Sequence, residues 1–158
     1  MAPDGRTFSF EATAHSSADA ATLFGLEADG SRWSKWAGPL APRSSWERQG
    51  DPAPGGMGAI RRLGMWPVMV REETIAYGQD RLHGYALRTP GPLRDYQAEV
   101  TFEPRDSGTD IVWRGRFTEL IPGTGPLIQR AMRQMIRSLT RRLVMAAERS
   151  DHVHPPTR

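Results

Sequence analysis

The chain has 158 residues, a hydrophobic content of 38%, a charged content of 25% and a net charge of +3 at pH 7. These values are typical of one folded domain with a substantial core, and they exclude the composition of a disordered chain. There is no cysteine, which excludes disulfides, thiolate metal sites and thiolate nucleophiles. No apolar run has the length of a membrane helix, and the opening segment MAPDGRTFSF lacks a signal-peptide pattern, so we expect a cytoplasmic protein.

The first part of the chain predicts one strand followed by two short helices. RTFSFEAT, residues 6–13, alternates apolar and polar side chains as a strand does. The spacing then becomes helical, and Ser16 or Ser17 is the predicted N-cap of the first helix. A second short helix or turn contains Trp33 and Trp36.

The middle of the chain predicts strands separated by short turns, which favours an antiparallel meander. The strand-like segments are SSWER, GAIRRLG, VMVREETIAY, RLHGYALRT, RDYQAEVTFEP and TDIVWRGRFTEL. After the turn IPGTGP, apolar residues recur at helical spacing from Pro126 to about Arg149. This pattern predicts one amphipathic helix of about 24 residues, or about 36 Å at 1.5 Å per residue.

These elements predict an α+β protein. A curved antiparallel sheet of about six to seven strands surrounds the long C-terminal helix, and two short helices follow the first strand. Packing the helix on the sheet covers the apolar side of both, and a sheet bent around a helix leaves space between them. We expect a single domain over residues 1–150 and a flexible tail over 151–158.

Four parts of the chain resemble a known family: SSADAATLFGLEADGSRWSKWAGP, VREETIAYGQDRLHGYAL, GPLRDYQAEVTFEPRDSGTDIVWRGRF and the final helix. The resemblance is to the polyketide cyclase/dehydrase and lipid-transport family of the START-like superfamily, also called SRPBCC or helix-grip proteins, and it covers roughly residues 6 to 148. It implies a deep apolar cavity between the sheet and the long helix. It also implies binding of lipids, sterols or polyketides, with cyclisation or dehydration in some members.

Three side chains are candidates for acid–base chemistry: Glu72, His83 and Tyr85. Glu72 shares one face of VMVREETIA with Val70 and Thr74, and an interior carboxyl there would have a raised pKa and serve as a proton donor or base. His83 and Tyr85 share one face of RLHGYALRT, where histidine suits proton transfer near neutral pH. The alternatives are a surface ion pair for Glu72 and ordinary packing for the other two.

A further set of residues is predicted to line the cavity, because each lies on an apolar strand face, on the apolar stripe of the long helix or in the segment expected to close the cavity. Ordinary core packing is the alternative for all of them, and a gate over the cavity mouth is one hypothesis for the two tryptophans of the early loop. The set is Trp33, Trp36, Val70, Thr74, Tyr96, Ala98, Trp113, Gly115, Phe117, Met132, Met135 and Leu139.

The expected partner is a hydrophobic small molecule. We expect no nucleic-acid partner, since the net charge is small and no nucleic-acid motif is present. We expect no cofactor and no metal, since the histidines lack ligand spacing. The sequence does not indicate an oligomeric state. The long helix contains Arg130, Arg133, Arg137, Arg141 and Arg142, which favour either a solvated face or transient contact with an anionic membrane surface.

Three functions therefore remain open at this stage. The first is binding of a lipid- or polyketide-like molecule in the cavity. The second is a cyclase or dehydratase that uses the cavity acid–base residues. The third is a regulatory or membrane-surface interaction protein that uses the basic helix.

Overall fold

The computed structural model describes residues 5–65 and 68–153. Within these ranges one sheet of seven strands and three α-helices are present, with a short 3-10 turn at Gly38–Leu40. The strands are β1 (Thr7–Ser16), β2 (Arg43–Arg48), β3 (Ile60–Met65), β4 (Val68–Gly78), β5 (Leu82–Leu87), β6 (Leu93–Arg105) and β7 (Gly108–Glu119). The helices are α1 (Ala20–Ala28), α2 (Trp33–Trp36) and α3 (Gly125–Val153).

The strands follow the order β1-β7-β6-β5-β4-β3-β2, and every neighbouring pair is antiparallel. The first strand pairs with the last, and the others follow as the meander predicted from their short connections. The predicted helix-grip fold, with two short helices after the first strand, is confirmed.

The cap of α1 differs from the prediction. Asp19, rather than Ser16 or Ser17, is the N-cap residue, and its side chain accepts a hydrogen bond of 2.7 Å from the backbone amide of Thr22. The reason is that β1 continues to Ser16, so the serines lie at the end of the strand. An aspartate at this position satisfies an amide that has no partner within the helix.

Helix α3 is longer than predicted, with 29 residues. Its first turn is held by Glu119 at the end of β7, whose Oε2 accepts hydrogen bonds from the backbone amides of Gly123 (3.2 Å) and Gly125 (3.0 Å). A carboxylate at this end also complements the helix dipole. The predicted tail, residues 151–158, begins within α3, and residues 154–158 lie outside the described residues.

The inner face of β7 follows the predicted alternation. Trp113 and Phe117 are fully buried, whereas Arg114 and Arg116 are exposed. Together with residues of β1, β6, α1 and α3 these side chains form the hydrophobic core. The core therefore lies on the concave side of the sheet, which α1 and α3 cover.

Gly115 lies at a close approach between β7 and β1. A Cβ atom at this position would collide with the ring of Phe10 and would lie 3.2 Å from the carbonyl oxygen of Gln97. Phe10 pairs with Gly115 in the ladder, and its ring also stacks on Tyr96 at 5.9 Å between centroids. The space beside this glycine is therefore occupied by a neighbouring side chain.

Candidate functional site

A cavity of about 400 Å³ opens between the concave side of the sheet and α3. Most of its lining is apolar, and the exceptions are Glu72 and the polar atoms of Trp33, Tyr85 and Tyr96. The remaining lining residues come from the 3-10 turn, strands β3 to β6 and α3, and they are Pro39, Leu40, Ala41, Leu63, Gly64, Val70, Leu87, Leu93, Met132, Met135, Ile136 and Leu139.

Glu72 is the acidic residue of this lining. It lies on β4 directly opposite Arg61 of β3, and its residue exposure is 9%. Its Oε1 accepts a hydrogen bond of 3.0 Å from Nε of Arg61. The side chain thus lies between a cavity on one side and a buried cation on the other.

Arg61 is a fully enclosed arginine that joins the sheet to α1. Its Nη1 donates to the backbone carbonyl of Glu27 at 2.7 Å, and its Nη2 lies 3.3 Å from the carboxylate oxygen Oε1 of Glu27. The guanidinium carbon lies 4.5 Å from the ring centroid of Trp33 and 4.7 Å from that of Tyr85. Two aromatic faces and two carboxylates therefore compensate for the lost hydration of this cation.

His83 completes the group on the side away from the cavity. Its Nδ1 donates to Oε2 of Glu27 at 2.8 Å, and its Nε2 lies 3.1 Å from Oγ1 of Thr74. The Thr74 hydroxyl also lies within 3.2 Å of the carbonyl oxygen of Gly55. We call Glu27, Arg61, Glu72 and His83 the buried charge cluster.

The two carboxyl groups of the buried charge cluster differ in their proton affinity. Burial raises the pKa of Glu72, and the Arg61 guanidinium offsets this rise only in part. Burial also opposes ionisation of Glu27, but His83 and Arg61 together outweigh it and leave the pKa of Glu27 below its ordinary value. Glu72, which borders the cavity, is therefore the carboxyl that takes up a proton more readily.

The two tyrosines of the lining remain protonated at neutral pH. Burial raises the pKa of Tyr85 well above its ordinary value and raises that of Tyr96 as well. The Tyr85 hydroxyl accepts a hydrogen bond of 3.1 Å from the indole N–H of Trp113. Both tyrosines are thus suited to hydrogen bonding with a bound molecule rather than to acting as bases.

Trp33 and Trp36 are buried against the end of α1. Their indole N–H groups donate to the carbonyl oxygens of Glu27 (2.7 Å) and Leu26 (3.0 Å), and their ring centroids lie 4.7 Å apart. Trp33 borders the cavity, whereas Trp36 does not. These contacts are those of packed side chains, and the gating role stays a hypothesis.

The structure brings many of the residues predicted from the sequence to one place. Glu72, Tyr85, Trp33, Val70, Tyr96, Met132, Met135 and Leu139 border the cavity. Outside its lining lie His83, Trp36, Thr74, Ala98, Trp113, Gly115 and Phe117. Of the second group, Trp113 supports the lining from behind, since its indole N–H donates to the hydroxyl of Tyr85.

Two members of the buried charge cluster, Glu27 and Arg61, were not predicted from the sequence. The feature of the sequence that could have indicated Arg61 is the alternation of side chains along β3. Arg61 lies on the same strand face as the buried residues Ala59 and Leu63. An arginine on an apolar strand face requires a buried acid, but that acid lies 34 residues earlier in the chain.

A larger depression of about 810 Å³ is lined by residues of β1, β4, β5, β6 and β7 and by Arg133 of α3, and the predicted residues Ala98 and Gly115 belong to this lining. Its charged side chains are partly exposed and lie near one another, with Arg114 3.9 Å from Glu11 and 3.8 Å from Glu99. Its lining is more polar than that of the inner cavity, so it is the weaker candidate for binding a hydrophobic molecule. Within the described ranges no group of three or more His, Asp or Glu residues is arranged to hold a metal, and no helix is long and apolar enough to cross a membrane.

Comparison with known families identifies the group to which this architecture corresponds. The family described as "Polyketide cyclase / dehydrase and lipid transport" matches residues 7–148. The chain belongs to this family. A search of curated proteins found no match.

Several solved structures share the fold of this chain. The di-domain ARO/CYC StfQ from the steffimycin biosynthetic pathway is similar with a TM-score of 0.73 and 13% identity, covering 92% of this chain and 52% of that protein. The present chain therefore spans about half the length of StfQ. A START superfamily protein from Mycobacterium smegmatis has a TM-score of 0.72 and 12% identity, covering 89% of this chain and 97% of that one. A protein of unknown function from Staphylococcus aureus has a TM-score of 0.75 and 11% identity, covering 94% and 98%. At these identities the likeness concerns the fold alone.

Proposed function

We propose that this member of the polyketide cyclase/dehydrase and lipid-transport family binds a hydrophobic small molecule in the cavity between the sheet and α3. The observation that supports this most directly is the cavity of about 400 Å³ with its mainly apolar lining. Pockets for small molecules are typically about 300–1,000 Å³, apolar, and furnished with a few polar groups that orient the ligand. Transfer of apolar surface from water into the cavity supplies most of the binding free energy.

A substitution that fills the cavity tests this proposal. Met135 of α3 borders the cavity, and we expect Met135→Trp to weaken binding of Nile red, a neutral hydrophobic dye, by about tenfold or more. The indole occupies space that the dye would fill, so less apolar surface of the dye is buried. The dissociation constant is measured by the increase in Nile red fluorescence, with circular dichroism as a check of folding.

Met145→Trp is the matched control, since Met145 lies on the same helix and is exposed. It introduces the same indole group without filling the cavity, and we expect its affinity for Nile red to equal that of the unmodified protein. If folded Met135→Trp protein bound Nile red as tightly as the unmodified protein does, the dye would bind elsewhere and the proposal would be overturned.

A second candidate function is a cyclase or dehydratase on the same scaffold. The observation that favours it is the raised pKa of Glu72, a carboxyl that borders the cavity and can exchange a proton with a bound molecule. If this function holds, Glu72→Gln abolishes turnover of a linear poly-β-ketone thioester and leaves the affinity for Nile red unchanged. Absence of turnover in the unmodified protein would favour binding alone.

A further inference from the structure

The carboxylate of Glu72 has one oxygen that its surroundings leave free. Its Oε1 accepts the hydrogen bond from Arg61, whereas no described residue forms a hydrogen bond with Oε2. In the described part of the chain, every fully buried side-chain polar atom has a hydrogen-bond partner. Oε2 therefore reaches open space, and the open space beside Glu72 is the cavity that this residue lines.

The hydroxyl of Tyr96 has a proton left for a ligand. Tyr96 lines the cavity beside Tyr85, and the two hydroxyls form a hydrogen bond. The Tyr85 hydroxyl accepts from the indole N–H of Trp113 and donates to the oxygen of Tyr96, so the proton of Tyr96 stays available. A phenolic hydroxyl both donates and accepts, whereas an ionised carboxylate only accepts. When Glu72 is ionised, the polar end of the cavity thus offers one hydrogen-bond acceptor, Oε2 of Glu72, and one donor, the hydroxyl of Tyr96.

We propose that the molecule bound here is a neutral hydrophobic compound with a hydroxyl group, either an aliphatic alcohol or a phenol, whose hydroxyl donates to Oε2 of Glu72 and accepts from the hydroxyl of Tyr96. This inference rests on the proposed binding function and specifies the polar end of the ligand. The apolar body then lies along Met132, Met135 and Leu139 of α3.

Other polar ends fit this site less well. A carboxylate has no proton to donate and would place a second negative charge against Glu72 in a cavity of low polarity. An ether or a ketone only accepts and leaves Oε2 of Glu72 without a donor. An ammonium group would have to lose its hydration in an apolar cavity.

The test is a competition experiment with ligands that differ only at the polar end. Decyl alcohol, decyl methyl ether and decanoate each displace Nile red, and inhibition constants are derived with the dye affinity measured separately for each variant. At mildly alkaline pH, which favours ionised Glu72, we expect the alcohol to bind about tenfold or more tightly than the ether, because a hydrogen bond to a charged group is lost. Decanoate is expected to bind more weakly than the alcohol as well.

Glu72→Gln replaces a hydrogen-bond acceptor by a hydrogen-bond donor at this point of the cavity. The amide oxygen can still accept from Arg61, so the amide N–H group takes the place of Oε2 and now donates. We expect the alcohol-to-ether preference to fall to about one, since both ligands accept from an N–H group. Glu73→Gln is the matched control, because Glu73 is the next residue of β4 and pairs with Arg88 at 2.9 Å on the other face. It should leave the preference unchanged.

The outcomes separate this inference from the function on which it rests. Equal affinity for alcohol and ether in the unmodified protein, together with loss of Nile red binding in Met135→Trp, would overturn the hydroxyl assignment and retain the binding function. A preference for decanoate over the alcohol would also overturn it. If Glu72→Gln protein still preferred the alcohol to the ether, another group would form the hydrogen bond with the ligand hydroxyl, which would contradict the assignment to Oε2.

Discussion

Replacement of Arg61 by methionine is expected to lower the free energy of unfolding by about 3–5 kcal/mol, the usual cost of removing one partner from a buried ion pair. Methionine keeps much of the volume but leaves Glu27 and Glu72 buried without their shared cation. The carbonyl oxygen of Glu27 loses its 2.7 Å hydrogen bond at the same time. The change is measured by urea unfolding followed by circular dichroism.

Two further variants separate the charge effect from packing. Arg62→Met is the matched control, because Arg62 is the next residue of β3 and is exposed, and we expect a change within about 0.5 kcal/mol. Arg61→Met combined with Glu72→Met removes a carboxylate together with the cation, so we expect it to be less destabilising than Arg61→Met alone. If the single variant were as stable as the control, the buried charge cluster would have no role in holding α1 on the sheet.

Replacement of Trp113 by alanine is expected to cost about 3–5 kcal/mol, as is typical when a large buried aromatic side chain is truncated. Trp113 is fully buried, and its ring meets that of Trp33 edge to face at 5.9 Å between centroids. The substitution leaves a void behind the cavity wall and removes the donor to the Tyr85 hydroxyl. The change is measured as the shift in the urea concentration at the midpoint of unfolding, with the dependence of the free energy of unfolding on urea concentration unchanged.

Trp46→Ala is the comparison for this second prediction. Trp46 lies on β2 at the edge of the sheet and is only partly buried, so we expect a smaller loss of stability. Trp113→Phe retains most of the ring volume and should lie between the alanine variant and the unmodified protein. A loss for Trp113→Ala no greater than that for Trp46→Ala would indicate that the region around Trp113 collapses to fill the void.

Both predictions concern residues that support the cavity rather than fill it. Arg61 lies behind Glu72 and contacts the rings of Trp33 and Tyr85, and Trp113 holds the Tyr85 hydroxyl. The polar end of the cavity is therefore built on a rigid layer of buried contacts. Such support fixes the direction in which a carboxylate and a hydroxyl present their free atoms to a ligand.

The local patterns of the sequence were sufficient to predict the elements and their arrangement. The alternation in DIVWRGRF predicted the inward face of β7, and the apolar spacing after Pro126 predicted α3. These predictions are reliable because side-chain direction repeats every two residues in a strand and about every 3.6 residues in a helix. The bounds were less certain, as the Asp19 cap and the longer α3 show.

The candidate site was only partly predictable. The sequence indicated Glu72 as a cavity residue, but both faces of its strand contain apolar side chains, so the pattern left its direction open. Gly115 was predicted to line the cavity between the sheet and α3, whereas the ring of Phe10, from a strand more than 100 residues earlier in the sequence, lies against it. A glycine in a strand often marks a site where another group comes close to the backbone. The pairing of the strands decides which group this is.

By itself, the sequence determined the class of fold and the inward side of most strands, since both depend on the order and periodicity of neighbouring residues, and its resemblance to known proteins indicated the family. Only the tertiary structure decided that Arg61 and Glu27 meet behind Glu72 and that His83 binds Glu27, a residue 56 positions away. Contacts between residues so far apart in the sequence depend on how α1 packs against the sheet. Burial then makes the pairing of these charges mandatory, and the same packing leaves one oxygen of Glu72 facing the cavity.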